Sequence, residues 1–501
     1  MNYGQFLNMM PEAFLILELL VVFFADFFLT KNEHKTDRLW VVTVGSLVMQ
    51  TVLLFGTMEP SEAFGGIYVT SQMVNVMKVI LTAGTLIVVI MSKTWLMAPH
   101  TAPEGASIAS KSNVAPSGAE RGAYISGEYF MLVLSTLLGM YMMMSSGSFL
   151  MFFLGLEMAS VPMACMVAFD KNRKNSAEGA AKYILVATFS SGVMLFGISF
   201  IYAAAGSLYF DNVAEVLSVK PLTIMGLVFF FSGLGFKISL VPFHFWTADT
   251  YQGAPTPVTG YLSVVSKGAA ALTLCIILTK VFGAMVDLWN PMLWIVIMLS
   301  ITVANLFAIR QSELKRFMAF SSISQAGYIM LAVIGADAHA GASALTFYVL
   351  VYVAANMAVF TVISAVEHNG GSTQMTAYNG LYKSNPKLAL LMTLALFSLA
   401  GIPPFAGMFS KFFVFLAAVN GHNAMPFWPY FVVLVALVNT VISLYYYLLI
   451  VKAMYIIKED NPLPTFSMDV ATKLSLAICT AGICLLGVAS CVYEWIAAAA
   501  L

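Results

Sequence analysis

The chain has 501 residues, 60% of them hydrophobic and only 10% charged, and its mean hydropathy is +0.87. Soluble domains carry roughly 25% charged residues, so this composition excludes a water-covered globular protein. Basic and acidic side chains balance at 24 each, which leaves no net positive field for a nucleic-acid partner.

The first residues, Met1 to Phe14, contain no Lys or Arg, so they do not read as a cleaved signal peptide, and the first apolar run is kept as a helix. A helical span needs about 20 apolar residues. In chain order such runs fall at 12–30, 39–58, 78–98, 126–146, 148–169, 179–205, 221–246, 258–284, 290–309, 315–336, 342–366, 387–418, 428–455 and 471–497. The expected fold is therefore an all-α polytopic membrane protein of about fourteen transmembrane helices in one membrane domain. The longest segment between runs, Ala98 to Gly127, is rich in Ala, Ser, Gly and Pro and reads as a flexible loop. Cys165, Cys275, Cys479, Cys484 and Cys491 are scattered through apolar runs without a CxxC pair, which fits neither a disulfide framework nor a metal or iron–sulfur site.

Charge placement orients the spans. Lys31, Lys35 and Arg38, Lys111 and Arg121, Lys171, Arg173 and Lys174, Arg310, Lys315 and Arg316, Lys383 and Lys387, and Lys452 and Lys458 all follow odd-numbered spans. Only Lys220 and Lys280 follow even-numbered ones. The odd loops then face the cytoplasm and both termini the opposite side.

Five ionisable residues fall inside spans: Glu157, Lys182, Lys237, Lys267 and Lys411. On insertion scales a central charge costs roughly 2.5–3.5 kcal/mol, so each asks for a reason. Lys237 precedes Pro242 by five residues, and a proline cannot donate the next helical hydrogen bond. The seventh span should break there, freeing carbonyls to line a polar pocket. His244 flanks that break, either as a proton relay or as a partner for a carbonyl. Pro403 and Pro404 should break the twelfth span before Lys411. Two interrupted spans in corresponding places point to inverted repeats, helices 4–8 and 9–13, with a polar route between them. The domain layout is then 1–125 for three N-terminal helices and a loop, 126–284 and 290–455 for the repeats, and 471–497 for a last helix.

Glu157 is a lone acid deep in the fifth span and needs a cationic partner or a proton. Lys182 on the next span is the natural partner, although it also stands four residues after Glu178 near a helix start. Lys267 lies mid-helix, ten residues after Pro257. Lys78 reads as a snorkelling anchor at the edge of the third span, while Glu18 and Asp26 stay open between function and packing. There is no glycine-rich phosphate loop and no GxGxxG after a strand, so no nucleotide site is expected.

Three stretches resemble the antiporter-like subunits of NADH–quinone oxidoreductase (respiratory complex I). They are Val241-Pro-Phe-His-Phe-Trp-Thr-Ala-Asp-Thr-Tyr-Gln-Gly-Ala-Pro-Thr-Pro-Val258, Leu314-Lys-Arg-Phe-Met-Ala-Phe-Ser-Ser-Ile-Ser-Gln-Ala-Gly327 and Ala400-Gly-Ile-Pro-Pro-Phe-Ala-Gly-Met-Phe-Ser-Lys411. The likeness runs from about the fourth to the thirteenth span and is closest to the subunit N type. It implies a proton channel between two inverted repeats, with Glu157, Lys182, Lys237, Lys267 and Lys411 as its charged axis. It also implies a bacterial plasma membrane location, other membrane and peripheral subunits as partners, and no cofactor in this chain. NADH, FMN, iron–sulfur clusters and quinone would belong to those partners. Ala248 stands where the family commonly has proline. Gln325 stands where it commonly has histidine, so transfer between Lys267 and Lys411 would have to rest on water. Two other readings stay open: a subunit of a cation/proton antiporter or membrane-bound hydrogenase, and a structural subunit whose charges only hold helices together.

Overall fold

The computed structural model describes residues 3–29, 34–97, 118–170, 173–420, 427–459 and 463–500. Its regular structure is helical apart from one small hairpin. The helices that matter below are α1 (Met10–Phe28), α2 (Lys35–Gly56), α3 (Gln72–Met97), α4 (Gly118–Met144), α5 (Phe149–Val167), α6 (Lys174–Ala205), α7 (Phe210–Val216), α8 (Pro221–Ile238), α9 (Phe245–Gly253) and α10 (Thr256–Val281). They continue as α11 (Val286–Ala308), α12 (Leu314–Leu331), α13 (Ala338–Gly370), α14 (Pro386–Ala400), α15 (Ala406–Val419), α16 (Phe427–Tyr455), α17 (Val470–Leu485) and α18 (Ser490–Ala498).

Helix ends follow ordinary capping chemistry. Asp337 accepts from the backbone N–H of His339 and Ala340 at the start of α13, and Glu313 accepts from Arg316 N at the start of α12. Pro221 and Pro386 occupy first-turn positions, where no N–H is required. α3, α10, α12 and α13 are buried along nearly their whole length and form the middle of the bundle. α1, α2, α6 and α16 bury one face and turn large apolar side chains outward, among them Leu185 and Phe189 of α6.

Close helix contacts are made through small residues, as expected where lipid gives apolar side chains no reason to prefer each other. Gly139 of α4 and Gly155 of α5 face one another. A Cβ on Gly139 would stand 2.4 Å from Ala159 N, and one on Gly155 would stand 2.5 Å from Met143 N.

Both expected breaks are present. α8 stops at Ile238, Ser239 takes a left-handed φ of 68°, and α9 begins after Pro242. α14 stops at Ala400, Gly401 takes a φ of 88°, and α15 begins after Pro403 and Pro404. Several features depart from the sequence expectation. Ser61–Ala63 (β1) and Tyr68–Thr70 (β2) pair antiparallel across a turn whose Gly65 and Gly66 have positive φ, a hairpin too short to read as strands. The last span is split between α17 and α18. Gly487 in that gap lies so close to the second break that a Cβ would meet Pro404 O at 2.6 Å, so the two irregular stretches dock on each other. α10 carries π-helical turns at Leu262–Ser266 and Ile277–Val281, which no apolar pattern reveals. The expected loop Ala98 to Gly127 falls largely on residues 98–117, outside the described residues, and its final part is already helical in α4.

Lys78 is not a snorkelling anchor. It is fully buried and pairs with Glu12 at 2.7 Å. A lysine near a helix end looks the same in sequence whether a carboxylate waits inside or not.

The Gly139–Gly155 contact generates a test. Gly139→Leu forces α4 off α5 and should cost at least the ~1–3 kcal/mol of ordinary overpacking. Thermal unfolding of the purified protein should fall accordingly, while Gly192→Leu, at a site with nothing within 4 Å of a Cβ, leaves it unchanged. Equal behaviour of the two variants contradicts this packing.

Candidate functional site

The first break places Lys237 in the last turn of α8, where the helix carbonyls favour a cation. The ammonium is buried and donates to Ser160 Oγ at 2.8 Å and Tyr183 OH at 3.3 Å. The break itself is pinned from α11, because Ser300 Oγ accepts from Val241 N at 2.9 Å. Glu157 shares with Lys237 a small cavity that also touches Ser160, Ser191 and Phe236 and holds about one water molecule.

Lys182 does not reach Glu157. Its ammonium lies 2.6 Å from Glu178 on its own helix and 2.6 Å from Asp249 on α9, at the partly exposed edge of the bundle. Glu178 completes the i, i+4 pairing that its spacing allowed. Asp249 is shared with Arg316 at 2.5 Å, and Arg316 also donates to Gln252 at 2.9 Å.

Lys267 sits directly after the first π-helical turn of α10 and is 1% exposed. It donates to Ser322 Oγ at 2.7 Å, and its ammonium stands 5.4 Å from the centre of the Tyr251 ring. His244 starts α9, stacks on Phe245 and lies within electrostatic reach of Lys267. Its buried Nδ1 has no hydrogen-bond partner, and Ser239 Oγ, Thr247 Oγ1, Ser266 Oγ and Tyr352 OH are also buried without one. Buried polar groups of this kind are ordinarily served by water.

The second break places Lys411 near the start of α15. Its side chain folds back over Gly401 and donates to Ala400 O at 2.9 Å, with the ammonium 4.9 Å from the Tyr328 ring centre. A side chain at residue 401 would crowd it, since a Cβ there meets Lys411 Cδ at 3.0 Å.

Between Lys267 and Lys411 the expected water-filled gap is occupied by side chains. Gln325 is 2% exposed and donates to Tyr447 OH at 3.2 Å and Leu399 O at 3.3 Å, while Tyr348 OH donates to its Oε1. Ser321 Oγ and Tyr447 OH are 2.5 Å apart. The links run from Lys267 to Ser322, then from neighbouring Ser321 through Tyr447 and Gln325 to Leu399 O, whose neighbour Ala400 receives Lys411. Gln325 therefore links the hydroxyls of Tyr348 and Tyr447 to Leu399 O.

Sequence reasoning missed Asp249 and the hydroxyls because it sought isolated charges inside spans. One signal was available for Asp249: it stands seven residues after Pro242 in Pro-Phe, as Lys411 stands seven after Pro404 in Pro-Phe. The hydroxyls of α12 had a weaker one in the helical spacing of Ser321, Gln325 and Tyr328. Among the described residues no three His, Cys, Asp or Glu side chains converge as a metal site would require.

Residues 146–443 match the family described as NADH:quinone oxidoreductase/Mrp antiporter, transmembrane. The chain is 52% identical over 497 residues to NADH-quinone oxidoreductase subunit N of Phocaeicola vulgatus, covering 99% of this chain and 98% of that one. It is 46% identical to the subunit N of Azobacteroides pseudotrichonymphae over 99% and 98% of the two chains. A chain of respiratory complex I from Thermus thermophilus superposes with a TM-score of 0.75 at 29% identity, over 96% of this chain and 97% of that one. A chain of the Mrp complex from a Dietzia species shares the fold, at a TM-score of 0.82 and 19% identity over 99% and 97%. A bundle with two broken helices and buried lysines at both breaks, with this identity along nearly its whole length, belongs to the NADH-quinone oxidoreductase subunit N family of antiporter-like membrane proteins.

Proposed function

We propose that the chain is a proton-translocating, multi-pass membrane subunit of a bacterial NADH–quinone oxidoreductase, coupling electron transfer from NADH to quinone in partner subunits to proton movement. The cofactors NADH, FMN, iron–sulfur clusters and quinone belong to those partners. The proton axis is Glu157 and Lys237, then Lys267 beside His244, then the hydroxyl links around Gln325, then Lys411. One observation carries this reading. Lys237, Lys267 and Lys411 are buried yet bound to hydroxyls or carbonyls, and among the described residues none has a carboxylate within salt-bridge distance. Such a lysine can pass on its proton without leaving an unpaired carboxylate in the bundle, as Lys78 beside Glu12 cannot. A purely structural cation would sit in the Lys78 arrangement.

Lys182 acts on this axis through Asp249, which it shares with Arg316. Losing the proton at Lys182 would hand the carboxylate wholly to Arg316 and shift α9, which follows the first break. Residues 126–284 and 290–455 act as the two repeats, each with its broken helix, and 1–125 and 471–497 flank them. Both termini lie on the non-cytoplasmic face, in keeping with the Lys/Arg bias of the odd loops.

Three tests follow from these assignments. Lys237→Ala should lower proton pumping in vesicles by at least tenfold per assembled complex, a modest loss beside the ~10²–10⁴ typical of a removed proton-transfer group. Lys237→Arg should also pump poorly, because guanidinium keeps its proton. Near-normal pumping by the Ala variant rules the assignment out.

Gln325→Ala strips Tyr348, Tyr447 and Leu399 O of a partner and should weaken pumping, with about 1–3 kcal/mol lost in stability for the buried groups left unpaired. Gln325→His keeps a hydrogen-bonding side chain, adds a titratable one, and should be tolerated. Lys411→Ala should be worse than either, and equal damage from Gln325→Ala would make Gln325 a required element beside Lys411.

For sidedness, a reporter fused after Leu501 should read out on the non-cytoplasmic face and a tag at Ser110, outside the described residues, on the cytoplasmic face. Both on one side contradicts the orientation.

A further inference from the structure

The helices before residue 146 lie outside the matched family segment, yet they are built around charge. α1 buries a single stripe, Pro11, Glu12, Leu15, Glu18 and Val22, against α2 and α4. Asp26 continues that stripe one turn after Val22. Three acids thus stand at three depths on one helix face. From Glu12 to Asp26 the helix rises about 21 Å, most of the roughly 30 Å of a bilayer core.

The two outer acids are ion-paired. Glu12 accepts from Lys78 Nζ at 2.7 Å and from Tyr68 OH at 3.0 Å. Asp26 pairs with Lys35 at 2.8 Å. Glu18, between them, is 2% exposed and neither of its carboxyl oxygens has a hydrogen-bond partner. Ser46 of α2 gives its hydroxyl to Thr43 O at 3.0 Å. Gln50 of α2 is fully buried and donates to Pro11 O at 2.9 Å, leaving its Oε1 without a partner. Tyr141 of α4 pairs its hydroxyl with Thr82. Nothing among these groups offers Glu18 a cation.

A bare carboxylate at such a place is far more costly than the neutral acid. We propose that Glu18 is a proton-binding carboxyl at the centre of a second acidic file, separate from the lysine axis and carried by α1 to α4. Its proton exchanges through water with the Glu12–Lys78–Tyr68 cluster on one side and the Asp26–Lys35 pair on the other. A proton that leaves Glu18 turns it into a carboxylate. The same proton arriving at Glu12 makes that group a neutral acid and frees Lys78 from its ion pair. The charge is thereby moved, not created.

The inference rests on the proton-translocating role proposed above, and its test separates the two. The whole complex, wild type and Glu18→Gln, is compared by turnover-triggered infrared difference spectroscopy and by protons pumped per NADH oxidised in vesicles. The expected result is a protonated-carboxyl band in the wild type that is absent from Glu18→Gln, with a lower pumping ratio at unchanged NADH oxidation. Glu18→Asp should keep a band, shifted in position. Absence of any Glu18-dependent band, or an unchanged pumping ratio in Glu18→Gln, overturns the proposal. The wild-type band and Glu18→Asp decide the matter if Glu18→Gln does not assemble. Loss of pumping in Lys237→Ala beside a normal ratio in Glu18→Gln sinks this file alone, while normal pumping in Lys237→Ala sinks the lysine axis.

Discussion

Everything distinctive in this fold follows from holding lysine ammonium groups inside a bundle that has no water-facing core. An ammonium carried there must find acceptors, and an unbroken helix offers none, because each of its carbonyls is already bonded four residues on. The chain supplies acceptors as hydroxyls from neighbouring helices for Lys237 and Lys267 and as a carbonyl freed by a helix break for Lys411. At the first break α8 ends at Ile238, one residue after Lys237, with Ser239 left-handed and Pro242 beyond it. At the second, Gly401 and the proline pair end α14 so that Ala400 O is free for Lys411. Lys267 uses a gentler device, a π-helical turn immediately before it, with its proton donated to Ser322.

These irregular stretches are stabilised by what packs on them. Ser300 of α11 accepts from the backbone of the first break. The gap between α17 and α18 lies against the second, with Gly487 close enough to Pro404 O that no side chain fits. α3, α10, α12 and α13 are buried along nearly their whole length, so Lys267 on α10 and its acceptor Ser322 on α12 both sit in the middle of the bundle.

The all-helical membrane architecture was legible because hydropathy acts residue by residue, and both breaks were legible because proline removes a donor wherever it stands. Partnerships were not. Glu157 and Lys182 are on consecutive spans, but Lys182 lies at the bundle edge, where Asp249 from a different segment reaches it first. Lys78 was indistinguishable from an anchor until Glu12, 66 residues earlier, was seen to meet it. Gln325 read as a gap because a neutral side chain shows nothing of its neighbours. Tyr348 comes from the next helix and Tyr447 from one 122 residues on, and they surround it only in three dimensions. Such long-range pairings leave no periodicity in one sequence.

The chain handles buried charge in three ways. Lys78 and Lys35 are matched to carboxylates, an arrangement that fixes helices and keeps each ammonium charged while its partner is ionised. Lys237 and Lys267 are matched to hydroxyls, which can reverse their hydrogen bonds toward a neutral amine, and Lys411 to a carbonyl, to which a neutral amine can still donate. Lys182 lies between, because Asp249 keeps Arg316 when Lys182 lets go. A proton can travel only where both protonation states are held at similar cost. On that criterion the lysines at the two breaks and the π-turn suit the proton axis proposed above, and the ion-paired Lys35 and Lys78 hold the helices beside it.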